Sequence, residues 1–181
     1  MRRERILDEY LVAAARSGDA HAFDLLVARW QPRLIAHAVR LTGRRDGAQD
    51  VVQESWLEIA RGLARLRDDR AFPAWAYRIA SRRCAAMIHG LQRDREISAA
   101  LEVGADDDGP ADAVEGASES DRLRAAVRAL PPEQRAAIAL FHFEELSVAE
   151  VAVALDVPTG TVKTRLMHAR RKLRAVLEGD Q

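Results

Sequence analysis

Polar and apolar positions repeat with a helical period over most of the chain, and no stretch alternates with the period of two that a half-buried strand requires. Phe23, Val27, Trp30, Leu34, Ala38 and Leu41 recur at three- and four-residue spacings, which predicts an amphipathic helix that Pro32 kinks or divides. After the break "TGRRDG", the run "DGAQDVVQESWLEIARGLARL" places Val52, Trp56, Ile59 and Leu63 on one stripe. Asp50, Gln53, Glu54 and Arg61 point away from that stripe, and Asp46 or a nearby acid suits the helix N-terminus as a cap. A third helix is predicted over "FPAWAYRIASRRCAAMIHGLQRDRE", with Pro73 in the first turn, where a missing N–H does no harm. The expected fold is all-α.

The pattern fails between about Ile97 and Ser120, where "SAALEVGADDDGPADAVEGASES" lacks periodic large apolar residues. This break divides the chain into two small helical domains, residues 1–95 and 121–178, joined by a flexible acidic linker over 96–120. In the second domain Leu123, Val127 and Leu130 give a short stripe, Pro131 and Pro132 stop it, and Ile138, Phe141 and Phe143 follow on another helix. Ser147 and Glu150 then form an S-x-x-E capping box, so a helix with Val148, Val151, Ala152 and Leu155 on its buried face starts there. "DVPTG" ends it, and Thr159 or Thr161 suits the cap of a last helix that buries Val162, Leu166, Ala169 and Leu173.

That last helix leaves Lys163, Thr164, Met167, His168 and Arg171 on the opposite side. Two helices joined by a short turn, the second one cationic, have the form of a helix-turn-helix, in which the start of the second helix enters the major groove. Arg and Lys donate to guanine, Thr bonds a base or touches a thymine methyl, and Arg170, Arg171, Lys172 and Arg174 are placed to bind phosphates. On its residues alone the same helix also fits a solvated cationic face that favours its own C-terminal dipole.

Net charge does not decide between these readings, because 28 basic side chains balance 28 acidic ones. Their distribution is more informative. Met1–Arg93 carries 17 Arg against 11 acids, Asp94–Asp121 one Arg against 10 acids, and Arg122–Gln181 10 basic residues against 7 acids. Two basic blocks flank an acidic one. Cys84 is the single cysteine, which excludes an internal disulfide and fits a reducing cytosol. No apolar run approaches the ~18 residues that span a bilayer. The start "MRRERILDEYL" is too charged for a secretory segment, so a cytoplasmic protein without membrane insertion is expected. The five His residues show no metal-ligand spacing, and there is no P-loop, G-x-S-x-G or H-E-x-x-H. Neither an enzyme, a metal site nor a cofactor is expected.

Three runs together resemble the bacterial extracytoplasmic-function (group four) sigma factors of the sigma-seventy family. "LPPEQRAAIALFHFEELSVAEVAVALDVPTGTVKTRLMHARRKLR" is similar to their region four, while "DGAQDVVQESWLEIARGL" and "FPAWAYRIASRR" are similar to successive helices of region two. The resemblance covers both basic blocks in the family's order and omits the acidic linker. It implies an RNA polymerase sigma factor that directs transcription initiation at a restricted set of genes, in stress or envelope response. It also implies three partners: core polymerase, contacted at its clamp coiled coil and flap, promoter DNA and an anti-sigma factor.

By the same resemblance, Asp50, Gln53 and Glu54 face the polymerase clamp. Arg70, Trp75, Arg78, Arg82 and Arg83 read the minus-ten element, with His89 and Arg93 further along the groove, Tyr77 able to stack and the loop Leu66–Phe72 capturing a base. Lys163, Thr164, Arg165, Met167, His168 and Arg171 read the minus-thirty-five element. The chain departs from the family in Arg82, where Asn is usual, and in Ala86, where Asp is usual, which bears on the minus-ten sequence read. The alternatives are a stand-alone helix-turn-helix regulator and a polymerase-binding adaptor that does not open promoters.

Overall fold

The structure is a computed structural model that describes residues 2–101 and 119–178. Eight helices follow one another: α1 (Arg2–Arg16), α2 (Ala20–Thr42), α3 (Arg45–Gly62), α4 (Phe72–Leu101), α5 (Glu119–Arg128), α6 (Pro132–Ile138), α7 (Val148–Leu155) and α8 (Thr159–Glu178). Short 3-10 turns join α3 to α4, and a π-helical turn over Ala139–Phe143 extends α6. Among the described residues there is no strand.

Local chemistry fixes the helix ends. The Asp19 carboxylate accepts from the N–H of Ala22 at the start of α2, and Gly43, with φ of 73°, closes it through an N–H to the carbonyl of Val39. Of the two outcomes expected at Pro32, a kink or a division, the second does not occur: α2 runs unbroken through it. A proline inside a helix costs about 3 kcal/mol. Leu26, Trp30, Leu34, Ala38 and Leu41 lie on both sides of it and are all buried, and each large apolar side chain contributes about 1.5–3 kcal/mol. Burial therefore outweighs the break. Asp46 lies within the first turn of α3 rather than at its cap, which is Arg44 with no side-chain bond.

The helix α4 runs to Leu101, so residues 96–101 are helical rather than linker. Most of the acidic segment lies outside the described residues. The capping box of Ser147 and Glu150 is complete in both directions. Thr159 is already inside α8, whose first backbone bond runs from the N–H of Val162 to the carbonyl of Pro158. Leu123 is 37 % exposed, so Ala126 takes its expected place on the buried face of α5 beside Val127, with Leu130 buried just after the helix; Phe143, in the π turn, is 42 % exposed.

In the first domain α2, α3 and α4 pack around Trp30, whose ring meets Phe72 and Tyr77 edge-on at 5.1 and 5.7 Å. Val52, Trp56, Ile59 and Leu63 are buried as the stripe predicts. In the second domain α6, α7 and α8 enclose Ile138, Leu140, Val151, Val162, Leu166 and Ala169. The domains are not separate. α4 and α7 form the most extensive helix pair of the described chain, and one continuous core extends from Leu11 to Ala169.

His37 is a polar member of that core. It is fully buried, its Nε2 lies 2.9 Å from the Ser81 hydroxyl, and its ring meets Tyr77 at 5.0 Å. Burial, and secondarily the Arg40 guanidinium, lowers its pKa from 6.5 to about 3. A base with a lowered folded-state pKa stabilises fully above the unfolded value and loses that stability as pH falls from about 6.5 toward 3. Chemical denaturation should therefore show stability falling by up to about 1.4 kcal/mol per pH unit below pH 6 from this group. The His37→Gln protein should lack that component; equal slopes in the two proteins would contradict it.

Candidate nucleic-acid interface

α8 carries the residues expected to read duplex DNA. Burial of Val162, Leu166 and Ala169 against α6 and α7 fixes its rotation and turns Lys163, Thr164, Met167, Arg170 and Arg171 outward. The Thr164 hydroxyl donates back to the carbonyl of Gly160 at 3.1 Å. His168 is half-buried, and so is Arg165, which lines the cleft between the two domains together with Arg78, His89 and Asp156. Arg170 lies over the Phe141 ring at 5.3 Å and 3.3 Å from the Nε2 of His142. Of the six residues, the structure brings Lys163, Thr164, Met167 and Arg171 together on one open face.

The cations of α4 are held differently. Arg78 pairs with Asp156 of the helix-turn-helix turn at 2.9 Å, and Arg82 donates to Glu58. Arg83 donates to Glu54 and, at 3.0 Å, to Glu58. Arg70 sits on the joining turn, with its Nε 3.2 Å from Asp68, and is separate from the α4 group. The Asp68 carboxyl lies below its usual range because it accepts from the Arg70 backbone N–H and side chain. That turn is tied to α1 by Arg16 and Asp69, 2.5 Å apart. Trp75 is half-buried against Phe72, and a Cβ on Gly62 would lie 2.8 Å from its ring, so glycine at 62 provides its seat. Tyr77 is 2 % exposed and offers no stacking face here.

Sequence reasoning missed the group that holds the two domains together. Glu144, whose side chain is 6 % exposed, accepts a hydrogen bond from the Tyr77 hydroxyl on one oxygen and from Arg40 on the other. The π turn presents it: the N–H of Glu144 reaches the carbonyl of Ala139, and Glu145 turns the chain away at φ of 54°. Arg40 also lies 4.5 Å from the centre of the Phe143 ring. Burial, and then the Glu144 charge, raises the Tyr77 pKa, which keeps the phenol a donor. No spacing signal marks Glu144, because its partners are 67 and 104 residues away.

On α3, Asp50 and Gln53 are exposed, and Asp50 forms no ion pair among the described residues. Gln53 also borders an apolar groove between α2 and α3, lined by Phe23, Val27, Ile35 and Leu57. The molecule thus has an acidic, amide-rich face on α3, a neutralised cationic face on α4 and an open cationic face on α8. Two helical modules with nucleic-acid chemistry, one of them a helix-turn-helix, define the class.

Comparisons with known proteins agree with it. The family description "Sigma-70 region 2" matches residues 26–94, and "Sigma-70, region 4" matches residues 120–173. The chain is 34 % identical to the RNA polymerase sigma-H factor of Pseudomonas aeruginosa, over 94 % of each chain. It is 31 % identical to the ECF RNA polymerase sigma-E factors of Salmonella typhimurium and Escherichia coli, again over 94 % of each. Among solved structures, CnrH in complex with the cytosolic domain of CnrY superposes with a TM-score of 0.71 at 26 % identity, over 97 % of this chain and 99 % of that one. The sigma factor RpoE in complex with the anti-sigma factor NepR, from Bartonella quintana, shares the fold at 23 % identity and a TM-score of 0.69, over 88 % of this chain and 98 % of that one.

The chain belongs to the sigma-70 family, in its extracytoplasmic-function group: it is an RNA polymerase sigma factor. Proteins of this family are transcription initiation factors and not enzymes. No described helix is long and apolar enough to cross a membrane.

Replacing Glu144 by Ala leaves Arg40 and the Tyr77 hydroxyl without their acceptor, at a cost of about 2–3 kcal/mol across the domain contact. Small-angle scattering should then show a larger radius of gyration than that of the unsubstituted protein. An unchanged radius would contradict the assignment.

Proposed function

We propose that this sigma factor docks on core RNA polymerase through the α3 face of Asp50, Gln53 and Glu54 and reads a two-part promoter once its domains separate. In this reading Arg70, Trp75, Arg78, Arg82 and Arg83 hold the melted minus-ten strand. Lys163, Thr164, Arg165, Met167, His168 and Arg171 read the minus-thirty-five duplex. An exposed carboxylate and amide row suits a cationic partner helix, and bidentate arginine pairing is its strongest form. Single-stranded bases need backbone cations and a stacking surface, which the α4 arginines and Trp75 supply.

The observation that carries this reading is the contact between the readers. Arg78 and Asp156 lie 2.9 Å apart, whereas elements at minus ten and minus thirty-five are separated by about 25 base pairs, or about 85 Å of duplex. The closed chain cannot span them. It is therefore the storage form, and the work of docking includes opening it. The superposition on CnrH, which includes both domains and was determined with a bound partner domain, supports an anti-sigma factor that stabilises this closed form. A restricted regulon under stress or envelope control is part of the same proposal.

The test is binding to purified core polymerase followed by transcription from genomic fragments. Replacing Asp50 and Glu54 together by Ala should weaken core binding at least tenfold. Lys163→Ala and His168→Ala should lower promoter-dependent transcripts and leave core binding intact. Specific duplex binding by the free protein, with no affinity for core, would instead indicate a stand-alone regulator.

A further inference from the structure

The residues assigned to the polymerase face and to the strand-binding face share one set of ion pairs. Glu54 and Glu58 are one turn apart on α3, and both accept from Arg83 of α4 through its two terminal nitrogens, Nη1 on Glu54 and Nη2 on Glu58 at 3.0 Å. Glu58 also accepts from Arg82. Burial works against the charged form of Glu58, but the Arg82 guanidinium, and then that of Arg83, hold its carboxyl below the usual range. The Glu54 side chain is 63 % exposed and thus open to a second cation, whereas that of Arg83 is 29 % exposed and fixed from the Glu58 side.

We propose that Glu54 exchanges partners on docking: it leaves Arg83 for a cation on the polymerase and so releases Arg83, still anchored by Glu58, to hold a phosphate of the single strand. The proposal rests on the assignment of the α3 face to polymerase and the α4 face to the strand. Before docking, Arg83 competes with polymerase for Glu54, and Glu54 competes with DNA for Arg83. Coupling of this kind is reciprocal: whatever docking adds to strand affinity, the strand adds to docking affinity. Glu58 is a positioning residue, since it acts on the strand only through Arg82 and Arg83.

The test uses the full chain, purified core polymerase and a single-stranded oligonucleotide. Removing the competitor, by Arg83→Ala or by the length-preserving Arg83→Gln, should tighten core binding at low salt by about twofold to fivefold, the range of an exposed ion pair. The gain should vanish in an E54Q background and at high salt. The holoenzyme containing either Arg83 variant should bind the oligonucleotide more weakly, with a salt slope shallower by about 0.7.

Core affinity that is unchanged or lower in both Arg83 variants, while the unsubstituted protein binds core normally, would overturn the exchange alone. So would a gain that persists with E54Q, since it would reflect bulk charge. Absence of core binding by the unsubstituted protein would overturn the proposed function and the exchange with it.

Discussion

A single buried carboxylate holds the architecture in the form observed. Glu144 lies between the two helical modules with both oxygens occupied, one by the Tyr77 hydroxyl and the other by Arg40. Such a group is costly to desolvate and tolerable only while fully paired. The closed form is consequently specific rather than merely sticky, because a small displacement of one module strands a charge. The other ion pairs across the contact, Arg78 with Asp156 and Arg5 with Glu150, are exposed and add little. Apolar packing of α7 on α4 supplies affinity, and Glu144 supplies registry.

The chain's cations are unequally available, through pairs both within the first domain and across the domain contact. On α8 the apolar stripe faces inward and Lys163, Thr164, Met167 and Arg171 stay open, while on α4 Arg78, Arg82 and Arg83 are engaged by Asp156 of the turn after α7 and by Glu54 and Glu58 of α3. On the reading proposed above, opening frees Arg78 from Asp156 and docking frees Arg83 from Glu54, so the positional requirement of two distant elements is coupled to an electrostatic one.

Much of this was legible in the sequence. Period and capping chemistry gave the three large helices of the first domain, the S-x-x-E start of α7 and the buried stripe of α8, because each depends on residues within two turns of one another. Tertiary packing decided what local pattern left open or misplaced: α2 runs unbroken through Pro32 because the stripe on both sides is buried, and Leu123 gives way to Ala126 on α5. The domain contact itself was out of reach. Glu144 and its partners are far apart in sequence, and nothing in "FHFEELS" distinguishes a buried acceptor from an exposed acid. Pairing of the α4 arginines was likewise hidden, since spacing orients a side chain without naming what it meets across a helix interface.

The central claim is that the chain is closed when free and open on a promoter, and the inter-domain distance tests it most directly. Spin labels on cysteines introduced by His21→Cys and Val176→Cys report that distance, and the native Cys84 is buried with its thiol pKa pushed up to about 12, so it stays inert to labelling. The account predicts one narrow distance in the free protein and a different, longer one when core polymerase and promoter DNA are added. The same distance in both states, or a broad distribution in the free protein, would contradict it.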